Sequence, residues 1–138
     1  MKLGEVKAEA LKLMGLNNEL NIEYLDIGAL KNDPTYATYL NNMVGAINRA
    51  FDRLYILGAI EEAVEIAHDT PEYLDLEEKG INGILARMLP MYIVSELFAL
   101  EEPDFAANQR NQFETAVEEY MGAPRFQQAY VDLVYGVE

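Results

Sequence analysis

Carboxylates concentrate in one stretch of the chain, where eight acidic residues and no basic residue occur between Glu61 and Glu78. Oxygen ligands in such a run suit calcium or magnesium. Their spacing does not match an EF-hand loop, which needs ligands at alternate positions, a central Gly and a closing Glu. A run of like charge more often forms a solvated face. We therefore expect a solvated surface here rather than a cation site.

Two residues within this run, Glu65 and His68, match the Glu-x-x-His step that places two metal ligands on one helix face in di-iron bundles. A di-iron site needs a second such motif, and His68 is the only histidine of the chain. Cysteine is absent, which excludes thiolate ligands, disulfides and Cys nucleophiles. The sequence predicts no metal centre and no cofactor, with His68 at the surface or across a strand pair.

Nucleophilic and acid–base chemistry also lacks a convincing set of residues. Ser95 is the only serine and lies in an apolar segment, so a Ser-His-Asp arrangement is not indicated. The adjacent carboxylates at 101–102 and at 118–119 would point in different directions on a helix. The segment Gly80-Ile81-Asn82-Gly83 is too short for a nucleotide-binding loop and lacks the Lys-Ser/Thr that would follow. We expect a protein that is not an enzyme.

Length and composition indicate one folded body. The chain has 138 residues, of which 51% are hydrophobic, so it can bury a core without disulfides. Ten basic and 24 acidic residues give a net charge of −14, which disfavours general binding to nucleic acid. No apolar run approaches the roughly 20 residues that span a bilayer, and the start of the chain lacks the apolar core of a signal peptide. We expect a cytoplasmic protein with no membrane contact.

Apolar residues at three- and four-residue steps predict four helices, over about residues 3–14, 34–57, 78–100 and 105–121. The second is the clearest, because Asp33 can cap it and Pro34 suits its first turn. Pro90 falls inside the third, where its missing N–H should leave the Ala86 carbonyl without a donor and kink the helix. The kink should wrap this helix around the second. It would then bring Tyr92 and Phe98 onto a stripe formed by Leu40, Ile47 and Leu54.

Two other segments show a strand-like pattern. Apolar and polar residues alternate over 64–68 and again over 73–77, on either side of Asp69-Thr70-Pro71-Glu72, which predicts a small β-hairpin. The competing interpretation continues a helix through residues 61–66. An Asn-rich segment over 16–33 indicates a loop with a short turn or strand. The predicted fold class is mainly α: a compact bundle of about four helices with a small β-hairpin and an extended C-terminal segment.

The C-terminal segment is rich in β-branched and aromatic residues, which favours an extended conformation. We therefore divide the chain into a single helical domain over 1–125 and an extended arm over 126–138. The apolar residues of this arm must be covered, either by its own helices or by a neighbouring chain, and both alternatives stay open. The candidate partner-binding residues of the arm are Tyr130, Val131, Leu133, Val134 and Tyr135.

Four stretches of the chain, over residues 3–13, 43–50, 85–98 and 104–114, occur in an order found in one protein family. The most specific part is a proline-bearing helix, an acidic-Pro-Asp break and then an Ala-x-x-Arg-x-x-Phe helix formed by Ala107, Arg110 and Phe113. This order resembles the small head-tail connector (head-completion adaptor) proteins of tailed bacteriophages. The resemblance extends from the N-terminus to about residue 121 and does not include the Asn-rich segment over 17–32.

The resemblance implies a non-enzymatic ring subunit that docks beneath the portal, extends the DNA channel and offers a platform for the tail. The implied partners are further copies of the chain, the portal protein and a tail or stopper protein, while DNA passes through without specific binding. The implied location is the virion, after assembly in the host cytoplasm. The acidic balance and the apolar arm agree with this role independently. The alternatives are another acidic helical protein-binding or tail-assembly module and, after it, an enzyme.

Overall fold

The computed structural model describes residues 1–15, 27, 30 and 32–122. Within them the chain forms α1 (Leu3–Leu13), α2 (Pro34–Ile56), α3 (Gly83–Ala86), α4 (Leu89–Leu97) and α5 (Pro103–Met121), with a 3₁₀ turn at Leu76–Lys79. Since α3 is a single turn, four longer helices carry the fold. The prediction of a mainly α protein with about four helices is confirmed. The predicted arm over 126–138, including its five candidate residues, lies outside the described residues, as does most of the Asn-rich segment.

Helix α2 follows the predicted pattern closely. The side chain of Asp33 caps it by accepting a hydrogen bond from Thr35 N at 2.9 Å, and Pro34 occupies the first turn. Gly58 follows its end in the left-handed region, with a φ of 81°. The apolar stripe predicted for this helix ran from Tyr36 to Tyr55. Tyr55 is 47% exposed, so the prediction is wrong at that residue. The other members of the stripe are buried: Tyr36, Leu40, Met43, Val44, Ile47, Phe51 and Leu54.

Helix α1 begins against the segment that precedes the 3₁₀ turn. The N–H groups of Leu3 and Gly4 donate to the carbonyls of Leu74 at 2.8 Å and Glu72 at 2.9 Å. The first N–H groups of a helix have no acceptor within the helix, and the Lys2 side chain does not cap α1. Residues distant in sequence therefore accept the hydrogen bonds of two of these N–H groups. The helix ends one residue before its predicted end.

The prediction of one kinked helix over 78–100 is wrong, because the structure divides this region into the 3₁₀ turn, α3 and α4. Gly80 ends the turn with a φ of 83°, and the side chain of Asn82 then starts α3 by accepting from Leu85 N at 2.9 Å. Pro90 lies in the first turn of α4, where its missing N–H costs no intrahelical bond. The proline therefore marks the start of a helix instead of bending one.

The predicted β-hairpin is also wrong, because the described residues contain no strand, only an isolated bridge between Lys2 and Asp75. The competing helix over 61–66 is absent as well. The chain is extended without regular structure over 63–67, where Val64 and Ile66 are buried and Ala63, Glu65 and Ala67 are exposed. The alternation thus matches the burial of Val64 and Ile66, but the strand pair predicted from it does not form in the described residues.

Helix α4 occupies the centre of the bundle, where it packs against α1, α2 and α5. Phe98, directly after α4, meets the ring of Tyr39 in α2 edge-on, with centroids 6.0 Å apart. Tyr92 meets Phe113 of α5 in the same manner at 5.1 Å. Of the two rings predicted to face α2, Phe98 is thus joined to it through Tyr39, and Tyr92 packs on α5. The largest fully buried side chains include Phe51, Phe113, Leu3, Leu11 and Ile27.

Candidate functional site

The acidic run from Glu61 to Glu78 lies along an irregular, mostly exposed part of the chain. In the described residues, no group of three His, Asp or Glu side chains lies close enough to hold a metal ion. Six of the eight carboxylates of the run are exposed. The other two hold the fold together: Glu72 pairs with Lys7 at 3.0 Å, and Asp75 lies 3.8 Å from Lys2. The run thus supplies both solvated charge and anchors for α1.

Asp75 has a second structural role. Its carboxylate accepts a hydrogen bond from Glu77 N at 3.0 Å and so caps the 3₁₀ turn. This backbone hydrogen bond is the main cause that lowers the pKa of the Asp75 carboxyl group. The carboxylate therefore stays charged where it faces the start of α1.

Glu65 and His68 occupy the extended segment and the turn after it, and both are exposed. Because neither residue lies on a helix, the Glu-x-x-His spacing does not place them on a common face. Ser95, in contrast, is buried in α4, and its hydroxyl donates to the Tyr92 carbonyl at 2.6 Å. The Ser95 proton is thus directed at the backbone of its own helix. The structure does not bring these three side chains into a catalytic arrangement.

The carboxylate pairs have separate surroundings. Glu101 accepts a hydrogen bond from the hydroxyl of Tyr39 at 3.0 Å, which ties the loop before α5 to α2. Burial is the main cause that raises the pKa of this tyrosine, and the bond to Glu101 raises it further. Glu102 and the pair Glu118 and Glu119 are exposed. Gly80 and Asn82 shape the entry to α3, as described above.

A groove runs along the polar face of the N-terminal half of α2. Its volume is about 740 Å³. One side is formed by the end of α4 and the loop that leads to α5, and His68 closes it at the end nearest to the extended segment. We call this the α2 groove, and the residues that shape it include Thr38, Asn41, Asn42, Gly45, Leu97 and Leu100. Leu100 is 96% exposed, so the groove has an uncovered apolar rim.

Asn48, on the polar face of α2, binds the backbone of the extended segment. Its side-chain amide donates to the Ile66 carbonyl at 2.9 Å, and its amide oxygen accepts from Ile66 N at 2.8 Å. The amide therefore takes the place of a neighbouring strand. Asn41 lies two helical turns before Asn48 on the same face. The seven-residue spacing of the two asparagines was visible in the sequence, but only as part of a polar helix face.

A cluster of charged and aromatic side chains joins α2 to α5. Arg53 binds Glu114 through two hydrogen bonds, of 2.9 Å and 3.1 Å, and Arg110 donates to the same carboxylate at 3.1 Å. The Arg110 guanidinium lies 4.3 Å from the centre of the Tyr92 ring. The hydrogen bond from Arg53 is the main cause that lowers the pKa of the Glu114 carboxyl group. Burial is the main cause that raises the pKa of Tyr92.

Basic side chains are largely neutralised within the fold. In residues 1–15 and 32–122, six of the eight Lys and Arg residues lie within 4 Å of a carboxylate. The other two, Lys79 and Arg87, are exposed and have no carboxylate within 4 Å in this part of the chain. Lys79 lines a concavity of about 700 Å³ together with Glu61, Glu62, Glu65 and Glu78, at distances beyond that limit. The described surface therefore offers no concentrated positive patch to a phosphate backbone.

Comparison with protein-family models, with curated proteins and with solved structures gives no match for this chain. No helix in the described residues is both long and apolar enough to cross a membrane.

Proposed function

We propose that the chain is a structural head-tail connector subunit of a tailed bacteriophage, which assembles as a ring under the portal, extends the DNA channel and joins the tail. Such a subunit works through its surfaces and carries out no reaction. Its partners are further copies of the chain, the portal protein and a tail or stopper protein, and its location is the virion after assembly in the host cytoplasm.

The observation that carries this proposal is the placement of charge. The chain has a net charge of −14. Most basic side chains of the residues that the structure describes are engaged with carboxylates, among them Arg49 with Glu96, and both Arg53 and Arg110 with Glu114. A surface of this kind repels a phosphate backbone, which suits the wall of a channel through which DNA must slide. The helical bundle and the order of motifs along the chain agree with the same role.

The first experiment measures assembly. The full-length protein is examined by native mass spectrometry and negative-stain electron microscopy, alone and mixed with candidate portal and tail proteins. We expect a ring, or a complex with the portal protein, of defined stoichiometry. A protein that stays monomeric with every portal protein and binds only a tail component would instead be the other kind of acidic module considered above.

The second experiment measures contact with DNA. We expect no shift of linear duplex DNA at micromolar protein near 0.15 M salt, because screening leaves no favourable long-range attraction. A variant with Glu61, Glu62 and Glu65 changed to Gln serves as the control, because it removes exposed charge and leaves the ion pairs of the fold in place. Micromolar binding by the unmodified protein would contradict a channel role.

A further inference from the structure

A tetrapeptide of the form Tyr-(Leu/Val)-Asp-(Leu/Ile) occurs three times in the chain, at residues 24–27, 73–76 and 130–133. Three of the nine tyrosines therefore begin the same four-residue pattern. In the first two copies the likeness goes further, because a polar residue nine positions after the Tyr caps the next helix: Asp33 caps α2 and Asn82 caps α3. We call the four residues the tyrosine unit, and its third copy lies in the arm.

The copy at 73–76 shows what each position of the tyrosine unit does. Tyr73 is 64% exposed, whereas Leu76 is fully buried and begins the 3₁₀ turn. Asp75 caps this turn by accepting a hydrogen bond from Glu77 N at 3.0 Å. In the first copy, Ile27 is likewise fully buried and lies in a 3₁₀ turn. The last residue of the unit is therefore an apolar anchor, and the Asp before it starts the turn that buries this anchor.

The same copy also shows what the tyrosine unit binds. Residues 1–3 pair with it in antiparallel direction through two backbone hydrogen bonds, of 2.8 Å to the Leu74 carbonyl and 2.9 Å from Leu76 N. Lys2 lies opposite Asp75 in this bridge, with its ammonium group 3.8 Å from the carboxylate, and the amino group at the start of the chain lies 3.3 Å from it. The unit therefore fits an extended segment that places positive charge opposite its Asp.

Resting on the proposed function, we propose that Asp132 is the specificity-determining residue of the arm. Residues 130–133 bind the portal or tail protein as a third tyrosine unit, in which Leu133 is the buried anchor. Asp132 caps the bound turn and pairs with a basic residue on an extended segment of that protein. Asp132 is the only charged residue between 126 and 137, so the arm carries one polar contact within an apolar run.

Charge determines which protein can supply this extended segment. In residues 1–15 and 32–122, the bases without a carboxylate within 4 Å are Lys79 and Arg87. Neither belongs to an extended segment, because Lys79 ends the 3₁₀ turn and Arg87 directly follows α3. Residues 1–3 are already paired with the copy at 73–76. A further copy of this acidic chain is therefore a poor match, whereas a different protein with an exposed basic segment is attracted to the arm.

The experiment uses the opposite effects that Asp132→Leu should have on two kinds of arm. An arm that binds through apolar area alone would bind more tightly, because the substitution adds apolar surface. A tyrosine unit should bind about tenfold more weakly or worse, the value of one charge-assisted hydrogen bond. Binding of the full-length variants to immobilised candidate portal and tail proteins is measured by biolayer interferometry, and circular dichroism checks that each variant is folded.

Two further variants sharpen this measurement. Gln128→Leu is the matched control, because it adds the same side chain to the arm just before the tyrosine unit, and it should not weaken binding. Asp132→Asn keeps a side chain that can cap the turn but removes the charge, so it should bind more tightly than Asp132→Leu and more weakly than the unmodified protein.

Native mass spectrometry of the same proteins separates the two proposals. Equal or tighter binding of Asp132→Leu to the portal protein would overturn the role of Asp132 and leave the connector function standing. Loss of self-association in this variant, with unchanged portal and tail binding, would also overturn it, because the unit would then bind a second copy. Binding to a tail protein that depends on Asp132, without a ring or portal binding, would support the role of Asp132 and count against the connector function. An unmodified chain that binds none of these proteins would overturn both.

Discussion

The amide of Asn48 and the backbone of Ile66 form a two-point pair across 18 residues of sequence, with both hydrogen bonds between 2.8 Å and 2.9 Å. This pair fixes an extended segment to the surface of α2 without a partner strand. It also lets Ile66 and Val64 bury their side chains in the core.

Replacing Asn48 by Ala should destabilise the protein by about 1–3 kcal/mol, because it leaves both backbone groups of Ile66 without their partner in a half-buried position. Urea unfolding followed by circular dichroism measures this change. Asn108→Ala is the matched control, since Asn108 is exposed on α5, and it should change the free energy of unfolding by less than about 0.5 kcal/mol. Equal effects of the two substitutions would mean that the pair adds nothing to stability.

The buried ion pair between Lys7 and Glu72 predicts a strongly non-additive mutant cycle. The Lys7 side chain is 3% exposed and that of Glu72 is 13% exposed, and Glu72 Oε2 has no hydrogen-bond partner in the described residues. Lys7→Met alone should cost about 3 kcal/mol, because it leaves a carboxylate buried without a counter-charge. The double variant Lys7→Met with Glu72→Leu should recover most of this loss. If the effects of the two single substitutions on the free energy of unfolding simply added up in the double variant, the two side chains would not interact.

Glu114 should make stability depend on pH in the acidic range. Its pKa is lowered in the folded state, chiefly by the hydrogen bond from Arg53, so the folded protein binds its proton less readily than the unfolded chain does. The stabilisation is therefore complete above the ordinary Glu pKa of about 4.3 and is lost as pH falls through the lowered value.

Glu114→Gln should accordingly cost about 1 kcal/mol at neutral pH, a value reduced by solvent screening of the partly exposed Arg53. The difference in the free energy of unfolding between this variant and the unmodified protein should become smaller as the pH falls below the ordinary Glu pKa. Thermal unfolding at several pH values measures it. Glu118→Gln, one turn further along α5 and exposed, is the control and should show no such convergence.

Deleting residues 124–138 should leave the helical circular-dichroism signal and the cooperativity of thermal unfolding nearly unchanged, because residues 1–122 already contain the buried core described above. The same deletion should abolish assembly or portal docking, since covering the arm's apolar residues is worth a few kcal/mol at about 25 cal/mol per Å². Loss of cooperative unfolding would place these residues in the core of their own domain. Unchanged stability together with unchanged assembly would remove the arm from the proposed function.

Local sequence patterns predicted the helices whose start and buried face depend on residues close together in the chain. Asp33, Pro34 and the apolar stripe after them predicted α2 to within one residue at its end, because caps and helix faces depend on residues three or four apart. The alternation around Val64 and Ile66, in contrast, predicted a hairpin that the described residues do not form. The composition also showed that acidic charge would dominate the surface.

Only the tertiary structure shows how the helices and the extended segment pack against one another. The extended segment is paired with the Asn48 side chain instead of a second strand. Pro90 lies in the first turn of α4, because the chain breaks its helical structure after α3, at residues 87–88. The α2 groove likewise exists only once α4 and its following loop lie beside α2. Such contacts join residues tens of positions apart. Local periodicity does not reveal them, because they depend on how the elements pack in three dimensions.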